Sequence, residues 1–163
     1  RGRSDLKVLT FPEPTGTEDL LSTPSVEKDA EFSPDGRWVA YASDESGQEE
    51  VYVRPFRGAG GRVVVSRGGG SWPVFARKGR ELFYRHGRKV YSVAYDLAPG
   101  FAAEAPRLLF EARTVDTRFD VDPSGTRFLM VAEGPREGLR TELRVVLGFA
   151  GHVARRLAPP GRL

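Results

Sequence analysis

Phe32-Ser33-Pro34-Asp35-Gly36-Arg37-Trp38-Val39-Ala40-Tyr41 decides how this chain folds. An apolar residue, Phe32, stands four before the glycine. Pro34-Asp35-Gly36 is turn chemistry, with glycine supplying positive φ at no steric cost. Trp38 to Ala42 is then a short apolar run of β-prone residues. The same grammar returns at residues 75–84, Phe-Ala-Arg-Lys-Gly-Arg-Glu-Leu-Phe-Tyr, and at 121–130, Val-Asp-Pro-Ser-Gly-Thr-Arg-Phe-Leu-Met. The turn glycines Gly36, Gly79 and Gly125 stand 43 and 46 residues apart.

Outward from each turn the pattern continues alike. After the apolar run and a polar break comes an alternating strand: Val51-Tyr52-Val53, Val90-Tyr91-Ser92-Val93, and Leu143 to Leu147. A further strand closes the unit at Arg62 to Ser66 and again at Arg107 to Phe110. The connectors Ser46-Gly47, Gly58 to Gly61 and Ala98-Pro99-Gly100 are loop chemistry. Four short strands in about 43 residues is the period of one propeller blade. No segment keeps a 3.6-residue period for ten residues, and the nearest helix candidate, Gly151 to Leu157, runs into Pro159-Pro160. The expected fold is all-β: a partial propeller of about three to three and a half four-stranded antiparallel blades. Residues 1–28 read as the outer strands of a preceding blade, with Leu6 to Leu9 and Asp19 to Leu21 as its strands. Residues 29–71 and 72–115 read as blades, 116–148 as a last, incomplete blade, and 149–163 as a tail.

Composition narrows the function classes. Isoleucine and asparagine are absent, and only four of the 25 basic residues are lysine, which reads as the coding bias of a GC-rich bacterial genome. Without asparagine there is no N-glycosylation site. Without cysteine there are no disulfides and no thiolate metal sites. A net charge of +3 spread along the chain does not suggest nucleic acid. No apolar run reaches membrane-spanning length, so no membrane insertion is expected of this segment. A start at Arg1 without a signal-peptide pattern reads as a fragment of a longer protein.

The stretch from Phe32 through Ser43-Asp44-Glu45-Ser46-Gly47 resembles the TolB-like propeller repeat, a relative of WD repeats. Glu50 to Phe56, Gly58 to Gly61, Gly68 to Ser71 and Glu81 to Tyr84 are similar to propellers that follow the kinase domain of bacterial eukaryotic-like serine/threonine kinases, as is Phe119 to Leu129. The resemblance covers roughly residues 29–148. It departs at Ala76-Arg77-Lys78-Gly79, where the repeat has Ser-Pro-Asp-Gly, and at Val121, where it has Phe-Ser. It implies a non-catalytic module for binding or sensing, the C-terminal part of a larger bacterial protein, on the extracytoplasmic side of a membrane anchor. The other contexts of this repeat are a propeller gating a prolyl-oligopeptidase-type hydrolase and a TolB-like periplasmic scaffold. The expected partners are a protein or small ligand at the rim or channel and the remaining blades of the parent chain.

No residue pattern argues for bond chemistry. The kinase glycine-rich loop, His-Arg-Asp and Asp-Phe-Gly are missing. Gly69-Gly70-Ser71-Trp72-Pro73 fails the nucleophile elbow, and Gly58 to Val63 fails the dinucleotide fingerprint. His86 and His152 lie 66 apart, too isolated for a metal site, and His86 reads as a hairpin tip. Asp44-Glu45 and Glu49-Glu50 do not match a calcium loop and read as a solvated hairpin loop. The arginines Arg136, Arg140, Arg144, Arg155 and Arg156 read as solubility. No catalytic residue, cofactor or metal is therefore expected. Asp35, Gly36, Gly79, Asp122 and Gly125 are expected to be structural turn residues, Asp35 by accepting backbone N–H groups two residues on. Aromatic side chains are expected to pack between blades. Trp72 is the candidate for a binding rim, read as sitting in a loop that enters an inner strand.

Overall fold

The structure, a computed structural model, describes residues 4–11, 16–132 and 143–146, and of 114–117 and 143–146 the backbone only. Every regular element among them is a strand. β1 (Leu6–Leu9) and β2 (Thr17–Leu21) form an antiparallel hairpin. β3 (Glu27–Phe32), β4 (Trp38–Ser43), β5 (Glu50–Pro55) and β6 (Val63–Val64) make a four-stranded antiparallel sheet in chain order. β7 (Ser71–Phe75), β8 (Glu81–His86) and β9 (Lys89–Asp96) begin the next sheet, and both β10 (Ala102–Ala103) and β11 (Arg107–Glu111) pair with β9. β12 (Thr114–Val121), β13 (Phe128–Ala132) and β14 (Leu143–Val146) form a three-stranded sheet. Inner strands therefore begin at Glu27, Ser71 and Thr114, one or two residues ahead of the unit boundaries read from the turns.

The central strands of the two full blades are buried on both faces, which explains continuous apolar runs such as Trp38 to Ala42 and Leu82 to Tyr84. Ala40, Val51 and Val53 of the first full blade meet Leu82, Tyr84, Val93 and Tyr95 of the second in one core. Phe83, Val90 and Ala76 on the opposite face of the second blade meet Phe119, Val121, Phe128 and Met130 of the last sheet. Tyrosines pair across the central strands at the same register in both blades. Tyr41 stacks on Tyr52 at 5.7 Å, and Tyr84 stacks on Tyr91 at 5.1 Å.

The outer strands depart from expectation for identifiable reasons. β6 covers only Val63 and Val64 of the expected Arg62 to Ser66, although Val65 still donates its N–H to the Val51 carbonyl at 2.8 Å. In the second blade the outer strand is broken between β10 and β11, where Pro106 has no N–H for the ladder. Glu50 is not a solvated loop residue: it opens β5 and is buried. The tail at 149–163, with His152, Arg155 and Arg156, and the loop with Arg136 and Arg140 lie outside the described residues.

The sheets follow one another as an arc. β1 packs on β3, β3 on β7, and β7 on β12, while among the described residues the last sheet makes no comparable packing with the β1–β2 hairpin. Phe32, which stacks edge-on against Phe56, is 48% exposed on one side of the arc, and Leu129 is 44% exposed in the last sheet. Open sheet faces and strand edges promote association. The chain by itself is therefore expected to self-associate with rising concentration. Sedimentation showing a folded monomer over a hundredfold concentration range would contradict this.

Candidate functional site on the inner strands

The expected turn residues build the corners that hold the inner strands. Gly36, Gly79 and Gly125 have φ of 67°, 83° and 74°. In the first turn the Ser33 hydroxyl donates to Asp35 Oδ1 at 2.6 Å and accepts the Trp38 N–H at 3.0 Å, while the Arg37 N–H donates to Asp35 at 3.1 Å. In the third turn the two groups exchange places. Asp122 takes the position of Ser33 and accepts the N–H groups of Thr126 and Arg127, each at 3.1 Å, and Ser124 donates to it at 2.8 Å. Both arrangements favour the ionised carboxylate. The Ser33 hydroxyl, supported by Arg37 and opposed by some desolvation, brings Asp35 down to about 2. Asp122, despite some desolvation, is held well below the usual carboxylate range by Ser124, Arg127 and Thr126. The second turn has Ala76 and Lys78 at these positions and relies on its backbone, with Ala76 N–H donating to the Glu81 carbonyl at 2.9 Å.

Each inner strand breaks register against its neighbour, between Lys28 and Glu31, between Ser71 and Val74, and between Thr114 and Phe119. Such a bulge re-aims side chains. At two of these breaks a non-glycine residue adopts left-handed backbone, Asp29 at φ 54° and Trp72 at φ 51°. That conformation costs of order 1–3 kcal/mol and persists only where the surroundings enforce it. Trp72 thus lies within β7 rather than in a loop before it. Pro73, which follows, cannot donate to the ladder, so the bulge falls where the pairing is already weak.

Counting three residues back from the apolar end of each inner strand gives Asp29, Trp72 and Arg118. The fold places these three equivalent positions in a contiguous row. The Asp29 carboxylate receives the Trp72 N–H, and the Arg118 guanidinium lies 5.9 Å above the Trp72 ring. Burial raises the Asp29 pKa, partly offset by Lys28 and by the Trp72 N–H, and Asp29 Oδ2 is buried without a hydrogen-bond partner among the described residues. One step deeper, Glu31 accepts the Phe75 N–H at 3.1 Å across the gap between blades. Burial pushes Glu31 up to about 7, the Phe75 N–H and Arg77 pull it down, and Asp120 adds to the rise. Carboxylate, indole and guanidinium in a row can recognise a mixed-charge segment. They include no nucleophile paired with a base.

The raised Glu31 pKa has a definite sign. Its contribution to stability is fully present below about 4.5 and is lost as pH rises through about 7. Urea titrations should show stability falling by on the order of 1–2 kcal/mol over that window once solvent screening is allowed for. Glu31→Gln should flatten the fall, and an unchanged slope in that variant would refute the assignment. The depressed Asp35 and Asp122 act oppositely and weaken the fold only below about pH 4.

Asp29, Glu31 and Arg118 carry no motif and escaped the sequence reading. Aligning the three repeats on Phe32, Phe75 and Val121 would have placed Asp29 and Arg118 beside Trp72. His86 ends β8 as an exposed residue at a hairpin tip. Among the described residues there is no cluster of His, Cys, Asp or Glu able to hold a metal ion, and no helix long and apolar enough to cross a membrane.

This geometry defines an arc of β-propeller blades. Its architecture is similar to that of TolB from Acinetobacter baumannii, with a TM-score of 0.57 and 18% sequence identity. The match covers 82% of this chain and about a third of that one, 33%. No protein-family signature matches the sequence, and no curated protein does. The fold is that of a TolB-like propeller segment.

Proposed function

We propose that the chain is a non-catalytic recognition module that binds a protein or ligand at its inner rim, through Asp29, Trp72 and Arg118. The observation that carries this is the left-handed backbone of both Asp29 and Trp72 at the same place in adjacent inner strands. Strain repeated at equivalent positions, beside a buried carboxylate oxygen with no partner among the described residues, is retained where a site needs pre-set side chains. Mixed charge around one indole suits a peptide segment carrying both signs. The remaining blades belong to a longer bacterial chain and cover the open faces of the arc. The likeness of residues 50–61 and 119–129 to propellers of membrane-anchored serine/threonine kinases favours an extracytoplasmic sensor of such a kinase over a hydrolase gate or a periplasmic scaffold.

The test uses the two tryptophans. In a Trp38→Phe background, a panel of mixed-charge hexapeptides is titrated while Trp72 emission is followed. At least one peptide should give a saturable change that weakens tenfold or more in Asp29→Ala and Arg118→Ala. A folded chain with no saturable response across the panel would overturn rim recognition. The sequence preceding residue 1 in the parent gene separates the contexts: a kinase domain with a membrane span supports the sensor, and a signal peptide alone refutes it.

A further inference from the structure

A second site lies away from the rim, between the β1–β2 hairpin and the first full blade. A cavity of about 180 Å³ opens there, and Glu27, Tyr41, Arg54, Arg62 and Gly61 are among its walls. Glu27 is 3% exposed. One of its carboxylate oxygens accepts the Thr23 hydroxyl, and the other, Oε2, has no hydrogen-bond partner among the described residues. A buried carboxylate oxygen left in that state is costly and calls for an external donor. Arg54 carries the complementary need. Its guanidinium donates to the carbonyls of Leu20 at 3.3 Å and Pro55 at 3.4 Å, and no carboxylate pairs with it among the described residues. Glu45 and Arg62, by contrast, pair with each other. The Tyr41 hydroxyl sits among all four charges. Burial, with smaller contributions from the two carboxylates and opposing ones from the two arginines, pushes it up to about 12, so it stays a neutral donor and acceptor.

The repeat shows that these charges are not an architectural necessity. Tyr84 occupies the place of Tyr41 in the next blade, and the two tyrosine pairs fix the correspondence of register. By that correspondence Arg54 becomes Val93, which is fully buried in the core between blades. Counting from Phe32 and Phe75, Glu27 becomes Gly70. A Cβ at Gly70 would lie 2.6 Å from Ser66 and 3.0 Å from the Tyr84 ring. Between the two full blades these two places are therefore held by a buried valine and by a glycine with no room for a side chain, whereas beneath the hairpin they carry an arginine and a carboxylate. The cavity is below the usual size for drug-like ligands and several times the share of one water.

We propose that this cavity binds a small zwitterion of the α-amino-acid class, its ammonium received by Glu27 and its carboxylate by Arg54. Both contacts are charge-assisted hydrogen bonds that one compact ligand makes together. The site shares no residue with the inner rim, so its test stands apart from that reading. L-alanine is titrated calorimetrically into the full chain, with propylamine and propionate as the two half-ligands. Saturable binding of L-alanine is expected, at least tenfold tighter than either half-ligand. Glu27→Gln, which keeps an acceptor for Thr23, should fold normally and weaken binding at least tenfold, as should Arg54→Met. Gly61 has open space beyond its Cβ position, so Gly61→Leu should block the cavity without unfolding the chain. The proposal is overturned by folded wild-type chain that shows no saturable binding, by propylamine binding as tightly as L-alanine, or by binding that Glu27→Gln leaves intact. Ordered water alone in the cavity of a crystal soaked with L-alanine would overturn it equally.

Discussion

Phe128→Ala is expected to lower stability by about 3–5 kcal/mol, a large share of what a domain of this size possesses. Phe128 is 2% exposed and is the hub through which the last sheet holds the second blade. It meets Phe83 edge-on at 5.1 Å, Phe110 edge-on at 5.2 Å and Phe119 at 6.1 Å. Truncation removes three ring contacts at once and leaves a cavity between two sheets, where the backbone ladders limit collapse. Urea unfolding measures the loss. Hydrogen exchange should also become fast in β12 and β13 while β8 and β9 stay protected, because each sheet keeps its own ladder. Phe128→Leu retains most of the volume and should cost far less. A midpoint for the alanine variant within 1 kcal/mol of wild type would mean that the last sheet is held elsewhere.

Glu50→Ala is the second large effect, at about 2–4 kcal/mol. Glu50 is 5% exposed, and its carboxylate fastens the crossing from the first blade to the second. It accepts the Ser66 hydroxyl, the Gly69 N–H at 2.9 Å and the Gln48 side-chain amide. Ser66 in turn accepts the Val51 N–H at 2.7 Å, and the Gly70 N–H donates to the Glu49 carbonyl at 2.9 Å. Losing the carboxylate orphans several buried donors at once, which costs more than the bonds are worth singly. Glu50→Gln keeps one acceptor and should cost roughly half as much. Ser66→Ala should overlap with it, so the double variant loses less than the two single losses combined. Strict additivity would show that the network is not a unit.

Which of these groups could be read beforehand follows from how far apart their partners lie. The blade period, the corner glycines and the order of strands were legible because each depends on neighbours within a few residues. Gly36 must turn, Trp38 to Ala42 must extend, and the pattern repeats after 43 residues whatever surrounds it. Glu50 was misread as solvated because its partners Ser66 and Gly69 lie 16 and 19 positions on, and nothing local distinguishes a carboxylate that caps a loop from one that faces water. Trp72 reads as a loop residue although it lies one position inside β7, since a bulge beside Pro73 breaks the two-residue period that marks a strand.

The fold class was already legible in the residues: short strands in a blade-length repeat, with turn chemistry between them. Which polar residues become neighbours was set by how the sheets pack. Asp29, Trp72 and Arg118 lie more than 40 residues apart in successive repeats and become neighbours because inner strands line up side by side. Glu27 and Arg54 look like ordinary surface charges until the hairpin closes over them and removes water from one carboxylate oxygen. Local conformation follows from backbone sterics, which each short stretch carries within itself. Burial and partnership depend on which sheets meet, and that is settled only when the blades pack.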